Sequence, residues 1–200
     1  MKSTSNQMFP PREWLSNLSD RLQSTQARID GQNVSLDEGL EKIIEVFISL
    51  RARNGALWWV GNGGSNGLCQ HLSQDVLNKL KIRSLSFAET PLITCMANDF
   101  GYKEVYSRPL TTLAQPGDAL IAISSSGKSE NILNCVELAH QKNMSLITLS
   151  GFNSDNPLWN KKSDVSFYIS SNLYGLVEVG HEAILHSAIE SLWLRETQSK

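Results

Sequence analysis

Residues 56–65 read Ala-Leu-Trp-Trp-Val-Gly-Asn-Gly-Gly-Ser, an unbroken apolar run closed by a glycine-rich turn. The same kind of junction recurs at residues 119–129, Ala-Leu-Ile-Ala-Ile-Ser-Ser-Ser-Gly-Lys-Ser. Runs this short and this continuously apolar suit strands buried on both faces of a parallel sheet. Each junction leads into a segment with helical spacing. Strand, small-residue turn and helix together make an anion site, because the free N–H groups of the helix start converge on one point and serine hydroxyls add donors. Two such turns in one sheet predict a phosphorylated ligand at the carboxyl ends of the strands.

Outward from these junctions the pattern alternates. Strands are expected at 56–60, 82–87, 119–123, 144–149 and 165–169, with helices at 66–80, 91–98, 104–114, 129–142 and 157–162 and a last helix from about Leu176 to Arg195. Alternation of this kind gives a parallel sheet covered on both faces. Five strands predict a flavodoxin-like three-layer α/β/α sandwich. Upstream, Trp14, Leu18, Leu22 and Ile29 predict a helix over residues 13–30. Ser35, with Glu38 three residues on, forms a capping box that starts a second helix. Leu36, Leu40, Ile43, Ile44, Phe47 and Leu50 are its inward face, and Asn54-Gly55 its stop. Residues 1–11 are expected to be a mobile tail. Residues 12–200 are expected to form a single domain that includes the N-terminal helices at 12–54.

Composition narrows the function classes. The chain has 200 residues, 40% of them hydrophobic, enough for one core. A net charge of −2 argues against a nucleic-acid surface, and the tryptophans lack the basic interleaving of single-strand binders. Cys69, Cys95 and Cys135 show no CxxC spacing and read as small core residues in a reducing compartment. No apolar run approaches the roughly 18 residues of a membrane span. The N-terminus lacks a signal pattern, so a cytoplasmic protein is expected.

Nucleotide motifs fail on spacing. The sixth position counted from Gly61 is Asn66, not glycine, and Ala122 stands where a phosphate-loop lysine motif would need its first glycine. No nucleotide cofactor is therefore expected. His71 and Asp75 share a helix face, as do Glu178, Glu182 and His186 on the last helix. Imidazole and carboxylate together move protons near neutral pH, and the same groups suit a divalent metal such as zinc. On spacing alone, the reading of Asp75 and Glu182 as solvated helix-face charges stays open. His140, at the end of a surface helix, is given no catalytic role.

Taken together, these pieces resemble the sugar isomerase (SIS) domain family, and within it the phosphoheptose (sedoheptulose-7-phosphate) isomerases. The resemblance runs through Gly61-Asn62-Gly63-Gly64-Ser65, His71, Ala97-Asn98-Asp99-Phe100-Gly101, Ser107-Arg108 and Gly117-Asp118. It continues through Ile123 to Asn131 and Ile147-Thr148-Leu149-Ser150-Gly151, and closes on Glu178 and His186. It implies that Ser124, Ser125, Ser126 and Ser129 hold the substrate phosphate. Asn62, Gly63, Ser65 and Glu178 line the sugar, with Asn98 and Asp99 close by. It also implies that Asp75 and His186 are the catalytic pair, and that His71, Asp75, Glu178 and His186 bind zinc.

The implied reaction is aldose–ketose isomerisation of a sugar phosphate, sedoheptulose 7-phosphate to a heptose 7-phosphate, with a proton moved between C1 and C2. The implied assembly is a homotetramer with active sites between subunits. The chain departs from the family at three points: Asp75 stands for a glutamate, Glu178 for a glutamine and Gly175 for an aspartate. An isomerase with a changed substrate would fit those departures. The alternative is a non-catalytic SIS protein that binds a sugar phosphate, or a protein partner of the replication-initiator type. Retention of His71, Asp75 and His186 favours the enzyme.

Overall fold

The computed structural model describes residues 10–198. In chain order the elements are α1 (Pro11–Gln23), β1 (Gln26–Ile29), β2 (Gln32–Val34), α2 (Leu36–Ala52), β3 (Ala56–Val60), α3 (Gly64–Asp75) and β4 (Arg83–Ser86). They continue with α4 (Thr90–Phe100), α5 (Ser107–Leu113), β5 (Ala119–Ser124), α6 (Glu130–Gln141), β6 (Ser145–Gly151), β7 (Val165–Ile169) and α7 (Tyr174–Gln198). A π-helical turn, Val76–Leu80, prolongs α3. Such turns mark a local rotation of side chains relative to a regular helix.

All strands lie in one sheet of order β2-β1-β7-β6-β5-β3-β4. The five expected strands are β3 to β7, and every pairing among them is parallel. Their order is the flavodoxin-like one. It reverses between β3 and β5, the strands that carry the two small-residue turns. Side chains along β3 alternate between two cores. Leu57 and Trp59 join α2, α3 and α7 on one face, while Ala56, Trp58 and Val60 join α5 and α6 on the other. The two indoles are anchored: Trp59 Nε1 donates to Ser84 Oγ (2.8 Å) and Trp58 Nε1 to the buried Asp118 Oδ2 (2.9 Å).

The sheet has seven strands, not five. The helix expected over 13–30 stops at Gln23, and residues 26–34 form a hairpin. Its two-residue turn is Asp30-Gly31, with φ of 50° and 82°, the left-handed pair that a type I′ hairpin requires. β1 then runs antiparallel to β7 and lengthens the sheet at that edge. The second correction is at 157–162, where no helix forms. There the buried Asn156 organises the backbone. Its Oδ1 accepts from Trp159 N (2.8 Å), and its Nδ2 donates to Asn153 O (2.7 Å). Cys95 is exposed on α4, not a core residue, whereas Cys69 and Cys135 are buried as expected.

Other expectations hold in detail. The capping box is present, with Ser35 Oγ accepting from Glu38 N (3.2 Å) and Ser35 N donating to Glu38 Oε2 (2.8 Å). Asn54, at φ 54°, ends the helix, and Gly55 N returns to Leu50 O (2.9 Å). The mobile-tail expectation for residues 1–11 falls mostly outside the described residues. Of its last two positions, Pro11 opens α1, where a proline is well placed. Among the described residues no helix is long and apolar enough to cross a membrane.

Candidate active site

The turns after β3 and β5 face each other at the reversal of strand order. Asn62 and Asn131 lock them together with a reciprocal amide pair: Asn62 Nδ2 donates to Asn131 Oδ1 (3.0 Å) and Asn131 Nδ2 to Asn62 Oδ1 (2.8 Å). Tyr102 Oη adds a third bond to Asn62 Oδ1 (3.1 Å). A cavity of about 240 Å³ opens between the turns, walled by Asn62, Gly63, Ser65 and the serines 124, 125, 126 and 129, with Tyr174 and Glu178 reaching over from α7.

The serine turn is pre-shaped. Ser124 Oγ lies 3.1 Å from Ser129 Oγ and accepts from Gly127 N (3.1 Å), while Ser126 Oγ accepts from Lys128 N (3.3 Å). Gly127 adopts φ 64°. A side chain there would also run into the Asn156 carboxamide. Ser125 Oγ is buried and has no hydrogen-bond partner among the described residues. A hydroxyl left orphaned in a cavity wall is costly unless a ligand completes it, and a phosphate oxygen is a matching acceptor.

α3 and α7 run side by side in the same direction. Glu178 lies beside Gly64, where an added Cβ would come within 2.7 Å of the carboxylate. Further along, the His71 and His186 rings meet with centroids 5.3 Å apart, and His186 Nδ1 is 3.8 Å from Asp75 Oδ2. Further still, Lys79 Nζ bonds Glu190 Oε1 (3.2 Å). The serine cavity thus lies at the N-terminal ends of both helices, and Asp75 lies about 15 Å farther along α3 than Ser65.

His71, Asp75 and His186 bring donor atoms within 4.8 Å of one another, close enough to share one ion. Glu178 is not in that group and belongs to the cavity instead. Two neutral imidazoles and a carboxylate are a donor set that zinc accepts, and His186 Nδ1 is buried with no hydrogen-bond partner. The residues therefore fit a metal. Asp75 is also well supplied with protein partners: Lys79 Nζ donates to Oδ2 (2.9 Å) and Gln74 Nε2 to Oδ1. Burial acts to raise the Asp75 pKa, but the Lys79 hydrogen bond and charge, with the two imidazoles, outweigh it and hold the carboxyl below its ordinary value.

Asn98 and Asp99 sit apart from this cavity. They are exposed at the end of α4 and bond each other, Asn98 Nδ2 to Asp99 Oδ1 (2.8 Å). His140 Nε2 lies 2.8 Å from Lys162 O at the surface. The site also contains residues to which the sequence reading gave no part. Tyr174 lines the cavity and stacks edge-on against Phe152 (4.7 Å). Asn131 and Tyr102 fix Asn62. Lys79, four residues after Asp75, was legible as a helical ion pair. Gly175, in place of the family aspartate, sits under the Trp14 ring of α1, which an added Cβ would meet at 3.3 Å.

A doubly covered sheet with two small-residue turns at its switch point, and a cluster of two histidines and a carboxylate between parallel helices, defines a three-layer α/β protein with a polar cavity at the carboxyl ends of its strands. The chain belongs to the SIS domain family, whose profile matches residues 22–151. It is 32% identical over 178 residues to the phosphoheptose isomerase of Shewanella frigidimarina, an alignment covering 85% of this chain and 89% of that protein. The structure of the phosphoheptose isomerase from Neisseria gonorrhoeae superposes with a TM-score of 0.77 at 23% identity, covering 90% of this chain and 94% of that one. That from Francisella tularensis gives 0.70 at 26%, covering 78% and 85%. At this identity and coverage the chain is an isomerase of the family.

Proposed function

We propose that the chain is an aldose–ketose isomerase of a sugar phosphate, and that the substrate is the seven-carbon ketose sedoheptulose 7-phosphate. The observation that carries the reading is a pair of features on the same two helices: an orphaned serine hydroxyl in the cavity at their N-terminal ends, and Asp75 facing His186 farther along them. The serine turn anchors the phosphate through hydroxyls and backbone N–H groups, which supplies binding energy remote from the reacting carbons. Asp75, ionised at neutral pH, takes the proton from C1 or C2 and returns it to the neighbouring carbon. The electron pair left behind forms the enediolate and then re-forms the carbonyl one carbon along. His186 moves the matching proton between O1 and O2. Zinc held by His71, Asp75 and His186 would polarise the carbonyl oxygen.

The test is exchange of the substrate C–H proton with deuterated water, followed by NMR across a panel of ketose phosphates with and without zinc. Exchange with a seven-carbon substrate is the expected result. Tight binding of the whole panel with no exchange would refute the enzyme reading.

The assembly reading is a homotetramer with active sites shared between subunits. The length of α3 between the serine cavity and Asp75, and the exposure of Asn98 and Asp99, support it. Light scattering is expected to give a tetramer. A monomer with full activity at micromolar concentration would refute that assembly.

A further inference from the structure

The face that α1 turns toward α7 is not wholly apolar. Trp14, Leu18 and Leu22 form the expected stripe, but Asn17 and Arg21 lie on the same stripe and are half-buried with them, while every other residue of the helix is exposed. With Ser170, Ser171 and Asn172 from the loop before α7, they wall a cavity of about 370 Å³ floored by Phe152. It lies across α7 from the serine cavity: Leu176 lines one and Glu178 the other.

Among the described residues no carboxylate lines this second cavity, although it holds a guanidinium. Arg21 Nε is shielded from solvent and has no hydrogen-bond partner. The side chains of Asn17, Ser170 and Asn172 make no hydrogen bond among the described residues either. Ser171 Oγ accepts from Leu173 N (3.2 Å), which leaves its own hydrogen free to donate. A shielded guanidinium N–H left without an acceptor is costly unless a ligand completes it.

We propose that this cavity is a second anion site, and that it takes the phosphate group of a small metabolite. A planar guanidinium flanked by an amide and hydroxyl donors matches tetrahedral oxyanions, and the volume lies in the range of small-ligand sites. The ligand would bridge α1 to the loop that begins α7. Its effect would pass to the serine cavity through Phe152, which floors the second cavity while its ring meets Tyr174 of the first.

The experiment is calorimetric titration of the full chain with inorganic phosphate, in a background that blunts the serine turn, Ser126→Ala with Ser129→Ala. That background is expected to keep one phosphate site, and adding Arg21→Met should weaken it at least tenfold. Asn17→Asp, which gives Arg21 an internal counter-ion, should do the same and serves should Arg21→Met fail to fold. Arg21→Lys should bind with intermediate affinity. Phosphate binding that is unchanged by both Arg21→Met and Asn17→Asp overturns the proposal. So does a single phosphate site in the wild type combined with loss of oligomer in Arg21→Met, which would show that a second copy of the chain supplies the carboxylate.

Discussion

Lys79 Nζ lies 2.9 Å from Asp75 Oδ2, one turn along the same helix, with Glu190 Oε1 3.2 Å away on its other side. The Lys79 side chain is less than a quarter exposed and Asp75 is buried, so this pair is worth more than a fully exposed bridge. It fixes both the charge and the direction of the proposed base. Lys79→Met is expected to lower kcat by roughly ten- to a hundredfold, the equivalent of a lost charged hydrogen bond of about 1.5–3 kcal/mol, with KM for the sugar phosphate nearly unchanged. Lys79→Arg should recover part of the loss. Steady-state kinetics on the three proteins decides it; a Lys79→Met effect confined to KM would show that Lys79 binds substrate instead.

The serine turn should govern affinity. Ser125→Ala removes the one hydroxyl of the turn that is buried without a partner, so it should cost ligand binding and little stability. Its loss is expected to weaken sugar-phosphate binding by about 1.5–3 kcal/mol, and Ser126→Ala with Ser129→Ala by more. Calorimetry measures the binding and thermal melting the fold. Equal affinity in wild type and Ser125→Ala would take that hydroxyl out of the site.

Asp75→Asn should abolish C–H exchange, because a carboxamide does not accept the proton, while phosphate affinity stays near wild type. His186→Ala should cut turnover by roughly a hundredfold or more, the scale of a lost general acid/base. Zinc content, measured by metal analysis after equilibration, should fall in both variants if His71, Asp75 and His186 form the metal site. Exchange at the wild-type rate in Asp75→Asn would assign the base elsewhere.

His181 gives a stability prediction free of catalysis. It is fully buried, its Nε2 donates to Ser150 O (3.0 Å), and burial pushes its pKa down from 6.5 to about 4. The unfolded chain therefore binds a proton between pH 6.5 and 4 that the folded chain refuses. The stability contribution is complete above about pH 6.5 and is lost as pH falls toward 4, by an amount on the order of 3 kcal/mol. Urea unfolding at pH 7 and pH 4.5 should show this drop, and His181→Gln should flatten it. An equal drop in both proteins would place the acid sensitivity in other groups.

The sequence was most legible where one signal dominated. β3 and β5 are continuous apolar runs, and Ser35 with Glu38 has only one common meaning. Reading failed where two signals competed. Ile29 sits at a helical spacing from Leu22, and that pattern overrode the Asp30-Gly31 turn that makes residues 26–34 a hairpin. At 157–162, Leu158 and Trp159 are buried, yet their backbone is held out of a helix by the local bond from Trp159 N to Asn156 and by Leu158 N donating to the distant Gly127 O, which no helical spacing announces. In the site, the serines stood out as a small-residue turn, whereas His71, Asp75 and His186 showed only shared helix faces and took their roles from the family resemblance. Tyr174 and the Asn62–Asn131 lock did not, because they depend on how α7 and the two turns meet across the sheet. Nor does spacing say that Trp14 fills the space over Gly175.

Asn156 sits behind the phosphate turn, against Gly127, and is tied in turn to Asn153, Trp159 and Ser150. The irregular stretch around it lines no part of the serine cavity, yet it packs against Gly127 from behind. Selection acting on that stretch can therefore retune the grip on phosphate while every contacting serine stays as it is. Two relatives with identical serine turns need not share an affinity, and a library confined to the Asn153–Trp159 segment is a route to new substrates that leaves the binding residues themselves untouched.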